Sequence, residues 1–482
     1  MTNAKNKNLV YYAHSVIGLL VMFGLGYLPT IGPVTEYGMK MLGIFIGIIY
    51  LWSFVDMVWP SVAAMCAYAI FSEGGIPALV TAAFGNNQLI LCIFCLIIAY
   101  AVITHGIFDN FIPWMLSKKS LRGKPWVITI ILLLIAFVLQ LMQTQFASMF
   151  LMISIIYSIC DICGMKKTSK WCAFMVGAMI VTSIFAAFFY PFSGASIFIT
   201  TLFSNGFSVD YSYIQFSFFT ITAYIIYMVM YVLVMKLIIR VDVTALKELD
   251  PSTLATKKHK MRKEEYVLLG ILLIWLITMF ITGSLNILPQ NAFFNLLGTL
   301  GTTGVCFVFF ILIGLVQIDG KSALNLRIIG KEMPWETIFI LLVAFAVCPN
   351  LCTAETGIPE LVTLVLNPIL AGKSPLVFTI ILFLACIILT NLANNSVVAV
   401  LVFSIISIYA ADININITLA CVLLTIFSQI AMFLPASSCF GAILYGEQDS
   451  IGKSNCLLVG TATTLLAMLL LLILIPFGNI VF

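Results

Sequence analysis

The sequence predicts an all-α polytopic membrane protein of two inverted-topology repeats, with re-entrant hairpins, broken helices and about 11 transmembrane segments. Three observations carry that expectation. Only 9% of the 482 residues are charged and 62% are hydrophobic, whereas soluble domains carry roughly 25% charged residues to cover a wetted surface. Apolar runs able to cross a hydrocarbon core of ~30 Å recur along the chain, around Ile17–Leu28, Val127–Leu141, Phe218–Met235, Val267–Phe280 and Leu457–Ile475. Finally, three short motifs occur twice, in the same order and at nearly one offset.

Residues 1–35 read as an N-terminal transmembrane helix. Lys5 and Lys7 precede an apolar run that starts near Val16, and no small-residue cleavage site follows it, so the helix is expected to be retained. Residues 36–235 form the first repeat, with an inward-opening hairpin at about 125–165. Residues 236–265 are a cytoplasmic linker by the positive-inside rule, because they hold eight of the 23 Lys and Arg, among them Lys257, Lys258, Lys260, Arg262 and Lys263. Residues 266–482 form the second repeat, with an outward-opening hairpin at about 375–410.

The repeats are read from paired motifs. Thr104-His105-Gly106-Ile107-Phe108-Asp109 matches Glu355-Thr356-Gly357-Ile358-Pro359-Glu360, at an offset of 251 between the glycines. Gln143-Thr144-Gln145 matches Asn391, Asn394, Asn395 and Ser396, at an offset of 250 between Thr144 and Asn394. Pro191-Phe192-Ser193-Gly194-Ala195 matches Pro435-Ala436-Ser437-Ser438-Cys439, at an offset of 244 between Ser193 and Ser437. Charge supplies the inversion. The first amide cluster lies between the basic loops Lys118–Lys124 and Lys166–Lys170, so both ends of its segment are expected to face the cytoplasm, as a re-entrant hairpin or else a pair of full spans, whereas the second is flanked by Lys373 and Asp412; opposite flanking charge on equivalent segments marks inverted topology.

Three amides within five residues of an apolar run need partners, because an unpaired buried amide costs on the order of a few kcal/mol. Partners on other helices would make the cluster polar glue. A helix broken near mid-membrane would instead gather carbonyl, amide and hydroxyl oxygens around a cation or substrate. Repetition of the cluster, each copy followed by a Pro-x-Ser turn, favours the second reading. The candidate sodium ligands are Gln143, Thr144, Gln145, Ser193, Gly194, Asn391, Asn394, Asn395, Ser396, Ser437 and Ser438. The candidate substrate contacts are Thr144, Gln145, Ser193, Asn394, Asn395 and Ser438.

An all-oxygen donor set suits a hard alkali cation, and sodium is the expected coupling ion; transition metals prefer imidazole or thiolate. His14, His105 and His259 lie far apart in sequence. Proton coupling would place an acid or histidine within a span, and the acids nearest apolar sequence are Asp56, Asp109, Glu355 and Glu360, the last three at turns. Broken helices direct N–H groups and positive dipole ends inward, so a small anion is the expected substrate. The thirteen cysteines lie mostly within spans, and Cys92/Cys95 and Cys160/Cys163 lack a second pair at zinc-finger spacing; they read as small hydrophobes. The net charge of +4 sits in loops and suits anionic lipid, not nucleic acid.

Three runs then resemble the divalent anion/sodium symporter family of the ion transporter superfamily: Pro334–Leu342 with Glu355-Thr356-Gly357-Ile358, Thr390-Asn391-Leu392-Ala393-Asn394-Asn395-Ser396, and Phe433–Ser438 with Gly446 beyond. The resemblance covers nearly the whole chain in order of elements. That family's Ser-Asn-Thr motif is similar to Asn394-Asn395-Ser396 in the second half and falls on Thr144-Gln145-Phe146 in the first. The resemblance implies a homodimer of scaffold and transport domains that moves by an elevator mechanism.

The expected function is therefore secondary active transport, sodium-coupled symport of a small anion such as a di- or tricarboxylate, across a plasma (inner) membrane. A proton-coupled carrier or exporter of the same fold is the alternative. An intramembrane enzyme would need paired acids, a metal cluster or a nucleophile within spans, and neither H-E-x-x-H nor G-x-G-D occurs. A channel would need filter-like repeats or charged rings, and no organic cofactor is expected.

Overall fold

The structure, a computed structural model, describes all residues except 1, 73–74, 104–122, 143–144, 208, 210, 248–261, 290, 319, 334, 348–352, 371, 393–394 and 436. The chain is all-α and polytopic. Among the described residues seven helices are long and apolar enough to cross a membrane, and eight further apolar helices are shorter.

The first half runs through α1 (Thr2–Gly24), α2 (Glu36–Phe54), α3 (Val58–Phe71), α4 (Gly75–Phe84), α5 (Asn87–Ile103), α6 (Pro125–Met142), α7 (Gln145–Ile162), α8 (Lys170–Phe189), α9 (Gly194–Gly206) and α10 (Tyr213–Leu233). The second half continues with α11 (Lys263–Thr282), α12 (Ala292–Leu315), α13 (Leu326–Glu332), α14 (Trp335–Ala346), α15 (Ile358–Leu370), α16 (Pro375–Thr390) and α17 (Asn395–Ile413). It closes with α18 (Ile417–Phe427), α19 (Cys439–Gly446), α20 (Gln448–Ile451) and α21 (Lys453–Val481).

Local chemistry sets many of these boundaries. Ser374 caps α16 by accepting the Val377 N–H, and Pro375 occupies the first turn, where its missing N–H costs nothing. Ser169 caps α8 through Cys172, Asn416 caps α18 through Leu419, and Ser212 with Gln215 closes a capping box on α10. These side chains satisfy N–H groups that the first turn of a helix leaves without a backbone partner.

Burial separates inner from outer helices. In α8 89% of the apolar window is buried, against 39% for α11 and 33% for α12, and every residue from Leu419 to Phe427 of α18 is buried. A helix that is apolar all round belongs at the centre, and α8 and α18 pack against each other there. Both arms of the helix pair α6/α7 pack on α8, and both arms of α16/α17 pack on α18. The large apolar residues of the outer helices, such as Ile225, Ile274, Leu296 and Leu469, remain exposed, as expected where lipid is the solvent.

The two helix pairs repeat in register: Pro125 and Pro375 open the first arms, and Gln145 and Asn395 open the second, each 250 positions apart. Each pair is followed by a central helix and a break, at 190–193 in the first half and 428–438 in the second. Thr104–Asp109, the first copy of one paired motif, lies outside the described residues. Its partner turn ends at Gly357, whose φ of +65° and close approach to the Pro33 carbonyl leave no room for a side chain.

Candidate functional site

The second break is the better-described half of the site. After Phe427 the chain leaves the helix, and Ile430, Ala431 and Met432 are fully buried in non-helical backbone. Buried main-chain groups need partners, and side chains of neighbouring elements supply them. Asn391, at the C-terminal end of α16, accepts the N–H of Met432 at 3.0 Å and of Phe433 at 2.9 Å on Oδ1. Its Nδ2 donates to the carbonyls of Ile387 at 2.8 Å and Ile430 at 3.3 Å. One carboxamide thus serves both donors and acceptors of the non-helical segment.

Further bonds complete the loop. Ser437 Oγ donates to the Leu434 carbonyl at 2.7 Å, Ser438 Oγ donates to the Ala431 carbonyl, and Tyr445 Oη donates to the Phe433 carbonyl at 2.8 Å. Ser438 also caps α19 by accepting the Gly441 N–H at 3.1 Å. Helix α21 approaches through Gly460, where a Cβ would stand 2.5 Å from the Met432 carbonyl oxygen, so only glycine permits that contact.

Asn395 opens α17 and is 8% exposed. Its Oδ1 accepts the Thr390 hydroxyl at 2.9 Å, and its Nδ2 donates to Gln429 Oε1 at 3.1 Å. The same Thr390 hydroxyl also reaches the Ser428 carbonyl. The tip of the second helix pair and the start of the break are therefore joined through Thr390, Asn395, Ser428 and Gln429. Ser396 follows on the first turn of α17, and Asn394 lies outside the described residues.

In the first half Gln143 and Thr144 lie outside the described residues, and Gln145 is placed as the first residue of α7. Ser193 precedes Gly194, which opens α9; its hydroxyl turns back to the Ala187 carbonyl at 2.5 Å and lies 3.1 Å from Ser196 Oγ. Ser193 thus ties its own break to the end of α8, and α9 packs on α17 and α18 of the other half.

Sequence reasoning missed four polar side chains here. Thr390 and Gln429 bond to Asn395 directly, and Thr464 of α21 points its hydroxyl at Asn391 Oδ1 from 3.5 Å. Gln140, 250 positions before Thr390, donates to the Met179 carbonyl at 3.3 Å, while its buried Oε1 has no hydrogen-bond partner among the described residues. Applying to Gln429 and Gln140 the test applied to the asparagines, an amide within an apolar run, would have found both.

The polar groups gathered at the second break are neutral oxygens and amides, an oxygen donor set that fits a hard cation and not a soft metal. Among the described residues no cluster of His, Cys, Asp and Glu could hold a metal ion. No curated protein matches the chain. The sequence profile of a citrate transporter family matches residues 15–426. Covering both helix pairs and the central helices, that match establishes that this integral membrane protein belongs to the citrate transporter family and is a secondary transporter.

Proposed function

We propose that the chain takes up a di- or tricarboxylate by sodium-coupled symport, as a divergent member of the divalent anion/sodium symporter branch of the superfamily. The observation that carries this reading is the junction of Asn395, Thr390, Ser428 and Gln429, where the end of a helix pair meets the non-helical segment that follows Phe427. A family described as citrate transporters supports the carboxylate. The neutral oxygen donors support an alkali cation, whose charge would offset that of the substrate in a site without a described basic side chain.

In this reading the pairs α6/α7 and α16/α17 are re-entrant hairpins of opposite orientation, and the protein is a homodimer working by an elevator motion in the plasma (inner) membrane. Arms of 16 to 19 residues, separated along the chain by two residues in one pair and four in the other, support hairpins whose tips bring polar groups into the membrane. Backbone of that kind is tolerated only where protein or an aqueous cavity surrounds it.

The testing measurement is thermal stability of the purified protein in sodium against choline, with citrate, succinate and sulfate added in turn. A ligand that binds only the folded state raises the melting temperature. Sodium-dependent stabilisation that citrate or succinate enhances is the expected result; indifference to sodium together with a response to pH would replace symport by proton coupling.

A further inference from the structure

Away from the polar junction, which lies wholly within the second half, a hydrogen bond joins the first helix pair to the helix that follows the second break. Tyr157 lies on α7, twelve residues after Gln145, a rise of about 18 Å along the helix. Glu447 ends α19, nine residues after Ser438. The Tyr157 hydroxyl donates to Glu447 Oε2 at 2.6 Å, the length of a charge-assisted O–H···O bond, between residues 290 positions apart.

The surroundings hold both partners in place. Lys167 lies 5.2 Å from the centroid of the Tyr157 ring and pairs with Asp161 at 3.6 Å. Beside this contact, Asn455 Nδ2 donates to the Thr168 carbonyl at 2.9 Å and to the Ile451 carbonyl at 2.7 Å, which fastens the α7–α8 corner to the start of α21. Glu447 also joins two helices of its own half: its N–H closes α19 on the Ile443 carbonyl, and its carbonyl accepts the N–H groups of Ser450 and Ile451.

We infer that Glu447 is a positioning residue for transport, whose bond to Tyr157 holds the first helix pair in register with the helix that carries Ser438. Neither residue was singled out by sequence, and neither belongs to the junction at Asn395. The bond sets the distance between half-sites contributed by different repeats, so its loss weakens substrate and ion binding and leaves the translocation step largely intact. An acceptor oxygen suffices for this role. Glu447→Gln therefore preserves it, whereas Glu447→Ala and Tyr157→Phe abolish it.

The inference rests on the transport reading, and two measurements keep the two apart. The first is independent of substrate: the rate at which a maleimide modifies Cys439, the first residue of α19 and exposed, read by mass spectrometry on the purified protein. Tyr157→Phe and Glu447→Ala are expected to speed modification several-fold, and Glu447→Gln to match the parent. Equal rates in all four proteins would overturn the inference. The second is uptake of radiolabelled citrate into proteoliposomes. Here KM is expected to rise about tenfold in Tyr157→Phe and Glu447→Ala, with kcat within about twofold, recovery in Glu447→Gln and no further rise in the double variant. A Glu447→Gln protein as impaired as Glu447→Ala would show that the charge and not the bond matters. Absence of both citrate and succinate uptake by the parent protein contradicts the carboxylate-transport reading and leaves the labelling result to decide the role of the bond. Tyr157→Phe removes a single hydroxyl, so it tests the bond even if Glu447→Ala does not fold.

Discussion

Asn391 holds Phe433 by its amide: Oδ1 accepts the Phe433 N–H at 2.9 Å across 42 positions of sequence. The same oxygen accepts the Met432 N–H, and the side-chain N–H groups serve Ile387 and Ile430. This side chain fixes the shape of the break, whereas Asn395, one turn of chain away, links the tip of the helix pair to Gln429. The two asparagines therefore separate by experiment.

Asn391→Ala leaves the N–H groups of Met432 and Phe433 and the carbonyls of Ile387 and Ile430 without this partner, at a cost of about 1–3 kcal/mol for each buried group left unsatisfied. A fall of several degrees in the melting temperature of the detergent-purified protein is expected, with sodium present or absent. A melting temperature equal to the parent's would contradict the role assigned to Asn391.

Asn395→Ala should behave otherwise. On the proposed reading it removes an oxygen offered to the cation and little packing volume, so the expected outcome is loss of ion-dependent transport in a protein that still folds. Reconstituted citrate uptake with and without sodium reads the first effect and size-exclusion chromatography the second. Normal sodium-dependent uptake by this variant would sink the site assignment.

Gly460→Ala places a methyl 2.5 Å from the Met432 carbonyl oxygen and 3.0 Å from Phe433 Cα. The crowded atoms are backbone, and overpacking of this kind costs roughly 1–3 kcal/mol. Thermal unfolding should show a clear loss, whereas Gly270→Ala on α11, where a Cβ meets nothing within 4 Å, should match or slightly exceed the parent, as helix propensity favours alanine. Equal melting temperatures for the two variants would argue against the close approach of α21 to the break.

Cys439 adjoins Ser438 at the start of α19 and is exposed, whereas the other described cysteines are buried or partly buried. A ligand seated against Ser438 should slow its modification by maleimide several-fold, in a manner that requires sodium and citrate together. Protection by neither would place the substrate elsewhere.

Composition and local pattern alone determined the class of this protein and the course of its helices. The runs Val127–Leu141, Val267–Phe280 and Leu457–Ile475 each lie within one helix, because twenty apolar residues in lipid have few other ways to satisfy their backbone. Pro191 and Pro435 stand in the gaps between helices, where a residue without a donor is tolerated, and Ser438 caps the helix that follows it. Tertiary structure decided which polar groups meet. Nothing local distinguishes Asn391, which bonds the backbone of residues 430–433, from Asn395, which bonds Thr390 and Gln429. Nor does any local pattern join Tyr157 to Glu447. Helix formation follows from short-range sequence, but a hydrogen-bond partner is chosen by the packing of elements far apart in the chain, and no hydrophobic period encodes that packing.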